Sequence, residues 1–158
     1  MFDELGEDRI DFGALPAHVN QLLQRGVAAY PRDRAAAERH FREALSVAPE
    51  QLPIYFCLYK IHTYQGRLDE ALEAAQAGLR EAARQAGLDP DFARWTSVSL
   101  APEEPGRFAL YTLKALAFIH LRRGERALAT QVLSRLAELD PQGSVGWRVV
   151  AEMKGDDA

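Results

Sequence analysis

The sequence predicts an all-α fold built of antiparallel helix pairs, and three observations predict it. Leu68, Ala71, Leu72, Ala75 and Leu79 recur at the three-and-four spacing of an amphipathic helix. Tyr55, Leu58 and Tyr59 make one face of a shorter helix just before it, and Gly66 separates the two. This hairpin, Leu52 to Leu79, recurs in register along the chain, and no stretch alternates apolar and polar residues at the period of a strand. A single hairpin cannot bury both of its apolar stripes, so only repetition creates a core.

The recurrence is measurable. Ala37 lies 34 residues before Ala71, in a run from Ala37 to Pro49 that carries Phe41, Ala44, Leu45 and a closing proline. Leu113, Leu116, Ala117, His120, Gly124 and Ala129 lie 58 residues after Tyr55, Leu58, Tyr59, His62, Gly66 and Ala71, one period of 34 plus an insertion of 24. Leu136 to Pro141 closes the third unit as Pro49 closes the first, and Trp147, Val150 and Ala151 fall 34 residues beyond Leu113, Leu116 and Ala117. A 34-residue period with small, aromatic and proline positions in phase resembles the tetratricopeptide repeat (TPR) family, over residues 17–154 apart from the insertion.

The resemblance implies a right-handed α-solenoid with repeats at about 18–51, 52–85 and 110–143, an insertion at 86–109 and a capping helix at 144–154. Together these make one domain, 17–158, behind an acidic tail, 1–16. The chain departs from the family in three places. Gly26 precedes Ala37 by 11 residues where the family has 12; Tyr59 stands at a position the family keeps small; Ala83 replaces the closing proline of the second repeat.

Taken in order, helices are expected at 17–29 and 34–47, with Tyr30-Pro31-Arg32-Asp33 as a tightened turn between them. Two more are expected at 53–65 and 68–86, the second running on through Arg84 because no proline stops it. Asp69 and Glu70 lie in its first turn, where the helix dipole favours anions. In the insertion, Asp89-Pro90 predicts one helical turn over Asp91 to Trp95, and Phe92 and Trp95 are expected to plug the joint between the second and third repeats. Pro102 and Pro105 lead into a long helix ending at Gly124, and a helix at 125–139 completes the third pair. Gly143-Ser144 is read as the cap of a last helix, with Trp147 in the core and Arg148, Glu152 and Lys154 facing water.

Composition narrows the function. The 158 residues are 47% hydrophobic, enough for one domain with a real core. No apolar run approaches bilayer length, the acidic start lacks the apolar segment of a signal peptide, and a cytoplasmic location with no membrane role is expected. Cys57 is the only cysteine, which excludes a disulfide within the chain and a thiolate metal site. Arginine outnumbers lysine 16 to 3 in an alanine-rich chain, the composition of a GC-rich bacterial source. Residues 1–16 carry a net charge of −4, equal to that of the whole chain, so the repeat body is neutral and offers no basic stripe for nucleic acid. The tail interleaves its acids with Phe2, Leu5, Ile10, Phe12 and Leu15; it is either a solubilising tail or a segment that docks on the repeats.

Residues that could carry chemistry are sparse. His62 and His120 hold the same place in successive repeats, where the family commonly packs a tyrosine, and they read as structural; His18 and His40 have no carboxylate at helical metal spacing. No glycine-rich phosphate loop and no nucleophile with a neighbouring base is present, so neither enzyme activity nor a cofactor is expected.

What the resemblance does imply is a concave groove lined by the first helix of each repeat, taking a peptide. Its residues here are expected to be Phe56, Lys60, Thr63 and Tyr64 from the second repeat and Tyr111, Lys114, Phe118 and Arg122, with Leu121, from the third. Leu22, Leu23 and Tyr30 are the candidates from the first repeat. Rings interleaved with cations suit a protein or peptide partner with acidic and apolar residues. The family's lysine-and-asparagine clamp for a C-terminal carboxylate is absent, since Cys57 takes the asparagine place and Tyr111 and Ala115 stand in the third repeat. The expected function is therefore a non-enzymatic binding module: an adaptor, scaffold or chaperone. The alternatives are a small secretion-type chaperone and a self-associating assembly subunit, such as a homodimer.

Overall fold

The computed structural model describes residues 10–155, which form seven α-helices and no strand. They are α1 (Ala17–Ala29), α2 (Arg34–Val47), α3 (Leu52–Tyr64), α4 (Leu68–Ala86), α5 (Pro105–Arg122), α6 (Arg126–Leu139) and α7 (Trp147–Lys154). A short 3-10 turn, Phe92–Arg94, interrupts the 87–104 connection. Each helix packs on the next, and α5 also touches α3 and α7, so packing is almost entirely between neighbours in the chain.

Local chemistry explains the boundaries. Asp33 caps α2 by accepting from the Ala36 amide at 3.0 Å. Gly66 and Gly124 adopt φ of 71° and 79° after α3 and α5, a left-handed conformation that glycine takes without strain. There the amides of Arg67 and Glu125 reach back to the carbonyls of His62 and His120 at 2.9 and 2.8 Å, a paired stop that satisfies the last carbonyls. Pro53 and Pro105 sit at the first turns of α3 and α5, where no amide hydrogen is needed.

The core runs through the stack. Ala37, Phe41 and Ala44 of α2, Ala71 and Ala75 of α4, and Ala129, Val132 and Leu136 of α6 form its spine. Gly26 lets α1 approach α2 closely, since a Cβ there would overlap the Phe41 ring. Leu22 and Leu23 of α1 also face inward, 2% and 0% exposed, so they are core residues and not groove residues.

Of the two tryptophans expected to be buried, only Trp95 is. Trp95 is buried at 2% exposure; its indole donates to the Asp89 carbonyl at 2.6 Å, and Arg135 of α6 donates to the Trp95 carbonyl at 3.2 Å. It closes the joint over α6, with Phe92 half-buried beside it. Trp147 is only half-buried, although its indole donates to the Asp140 carbonyl at 2.7 Å. Val145 and Val150 fill the core there instead.

The last helix begins at Trp147, three residues later than the Ser144 start expected, because Asp140 holds the preceding turn. Its buried carboxylate accepts from the Ser144 amide (2.9 Å) and hydroxyl (2.8 Å) and from the Val145 amide (3.0 Å). Burial alone would raise the Asp140 pKa, but these donors pull it below the usual carboxylate value.

Candidate functional site

Helices α3, α5 and α7 share one face, and the sequence offset between them decides what it carries. Lys114 occupies in α5 the place of Phe56 in α3, and Phe118 occupies the place of Lys60, so rings and cations alternate diagonally across the two helices. Spacings of three and four residues then bring each cation over a ring of its own helix. Lys60 Nζ lies 5.5 Å from the Phe56 centroid, Lys114 Nζ 5.1 Å from that of Tyr111, and the Arg122 guanidinium 5.7 Å from that of Phe118.

Across the seam, Phe56 meets Tyr111 at 6.3 Å between centroids, and within α3 it meets Tyr59 edge-on at 5.7 Å. Below them the buried hydroxyls of Tyr59 and Thr112 stand 3.5 Å apart. This ring cluster forms the floor of a groove of about 670 Å³ lined by Lys60, Thr63, Tyr64, Tyr111, Lys114, Phe118 and Arg122, with α7 as its far wall. Phe56 contributes from beneath, through its contacts with Tyr59 and Tyr111, and is not itself a lining residue. The Thr63 hydroxyl is committed to the Tyr59 carbonyl at 2.6 Å, so it offers the groove an acceptor more readily than a donor. Tyr30 is buried, and its ring meets that of Tyr64 at 6.4 Å between centroids, tilted by 57°.

The groove is cationic and unpaired. Among the described residues no acid lines it, and Lys60, Lys114 and Arg122 form no ion pair. Burial, and after it the charge of Lys114, holds the Lys60 ammonium below the ordinary lysine range.

The far wall is what sequence reasoning missed. Val149, Val150 and Met153 of α7 line the groove, and Val149 and Met153 are 60% and 57% exposed. The expectation of a polar last helix facing water holds for Arg148 and Glu152, whereas Lys154 is half-buried. The signal was available: the 34-residue phase carries the groove residue Ala115 onto Val149.

The histidines lie outside the groove. His62 is fully buried and His120 nearly so, the latter bonded through Nδ1 to Glu125 at 3.0 Å. Cys57 is buried, and burial pushes its thiol pKa up, the reverse of a reactive cysteine. Among the described residues no cluster of three His, Cys, Asp or Glu side chains could hold a metal ion, and no helix is long and apolar enough to cross a membrane. Comparison with family models, with curated proteins and with solved structures found no match for the chain.

Proposed function

We propose that the chain is a non-enzymatic, tetratricopeptide-type module that binds a protein or peptide segment carrying apolar and acidic residues in the α3–α5–α7 groove. One observation carries this reading: three cations stand over rings in an apolar groove whose described lining holds no acid. Rings and the exposed Val149 and Met153 supply area to bury, and the unpaired cations would orient carboxylates of the bound segment. Exposed apolar side chains gathered at one groove, as Val149 and Met153 are, are themselves a mark of an interaction surface.

The test is selection of immobilised peptides from a random library by the full chain. Binders should be enriched in Asp and Glu beside aliphatic or aromatic residues. Replacing both Lys60 and Lys114 by Glu should weaken those binders about tenfold or more, with far-UV helicity unchanged. Equal binding by the double variant rejects the groove as the site. A self-associating subunit is the second reading, favoured by the same exposed Val149 and Met153. Sedimentation at several concentrations separates the two, because only that reading predicts a mass that rises with concentration.

A further inference from the structure

The described part of the tail does not lie among Lys60, Lys114 and Arg122. Residues 1–9 fall outside the described residues, whereas residues 10–16 double back along α1. The Gln24 side chain accepts from the Ile10 amide at 3.3 Å and donates to the Ile10 carbonyl at 2.6 Å, while its Nε2 also donates to Asn20 Oδ1 at 3.1 Å. Gln24 thus pairs with both backbone groups of one residue, as a neighbouring strand would, and Asn20 fixes the orientation of its amide. Asp11 closes a small turn by accepting from the Gly13 amide at 2.9 Å. Ile10, Phe12 and Leu15 are half-buried against the core.

Two further features show that this segment occupies a site without filling it. A cavity of about 440 Å³ remains beside Phe12 and Leu15, walled by the first turns of α3 and α5 and ending at Tyr111, where the main groove begins. Among the described residues its rim holds Glu50, Glu103 and Glu104 against one cation, Arg107, the opposite charge to the groove. The contacts of the segment read backbone and apolar bulk at three positions, not a particular sequence.

We infer that the face formed by α1 and the first turns of α3 and α5 is a second peptide-docking surface, occupied in this chain by its own residues 10–15, and that an extended segment with apolar residues two and three apart displaces them. The rim disfavours acidic segments, so this surface and the main groove select different ligands. Being tethered, the native segment competes at an effective concentration near millimolar. It therefore acts as a built-in gate on the surface.

The probe is a fluorescein-labelled peptide of residues 10–16, followed by fluorescence anisotropy against the full chain. The wild type should bind it weakly, because the tethered copy holds the site. Phe12→Ala loosens that copy and should tighten probe binding by about tenfold. Ile10→Ala should act in the same direction from the other end. Adding Gln24→Ala to Phe12→Ala should abolish the gain, since the backbone clamp is gone. Equal probe binding by the wild type and both loosened chains overturns the inference, as does a gain that survives Gln24→Ala. Loss of far-UV helicity in the Phe12→Ala chain also overturns it, because the segment would then be part of the core and not a replaceable ligand.

Discussion

Nε2 of His62 on α3 lies 3.7 Å from Oε2 of Glu38 on α2, too far for a hydrogen bond, and neither ring nitrogen has a hydrogen-bond partner among the described residues. Glu38 instead turns to Arg67, at 3.1 Å. Burial lowers the His62 pKa from the ordinary value of 6.5, partly offset by the Glu38 charge. A folded-state value below the unfolded one means that the unfolded chain binds more protons in acid. Stability is then full above pH 6.5 and is lost as pH falls below it towards the folded-state value.

His62→Leu should remove that loss. It should also stabilise the chain by about 1 kcal/mol at neutral pH, because two orphaned buried nitrogens disappear. Urea titrations of both chains at pH 7 and pH 5 check this: the gap between them should widen at pH 5. Parallel behaviour would show that the folded chain binds a proton at His62 as readily as the unfolded chain does.

Asp140 supplies the opposite kind of buried polar group, fully satisfied by Ser144 and Val145. Asp140→Asn places an amide against the Val145 amide and should cost about 1–3 kcal/mol at pH 7. The carboxylate's folded-state pKa lies below its ordinary 3.8, so its contribution is present above that value and fades as pH falls through the lower one. Melting curves of the two chains should therefore converge in strong acid.

The tryptophans should rank by burial. Trp95→Ala empties a filled joint and should cost about 3–5 kcal/mol. Trp147→Ala should cost about 1–2 kcal/mol, because much of that ring is already solvated. Denaturant midpoints of the two variants decide the order, and a larger loss for Trp147 would contradict the packing described.

Gly26→Ala sets two effects against each other. Alanine improves helix propensity by roughly 1 kcal/mol, but its methyl meets the fully buried Phe41 ring, which has no room to retreat. Overpacking should win, for a net loss of about 1–2 kcal/mol. Gly26→Ala combined with Phe41→Leu should recover part of it, as read by thermal melts.

The helices and most of their limits were legible in the sequence because they are set within one or two turns; the start of α7, delayed by the Asp140 turn, was not. The stops at Gly66 and Gly124 depend on a residue that accepts positive φ, and the cap at Asp33 on an oxygen three residues before an amide. The family resemblance, with the 58-residue offset between α3 and α5, also put Lys60, Tyr64, Lys114, Phe118 and Arg122 on one expected surface, and all five line the groove. What tertiary structure decided is which face meets which neighbour. Leu22 and Leu23 turned inward because α2 lies against them; Trp95 became the core tryptophan and Trp147 did not, because α6 receives the 87–104 connection. The docking of residues 10–15 on Gln24, and the place of Val149 and Met153 in the groove wall, likewise join residues far apart in the chain. Periodicity reports a helix's own faces, whereas those contacts depend on how the helices are stacked.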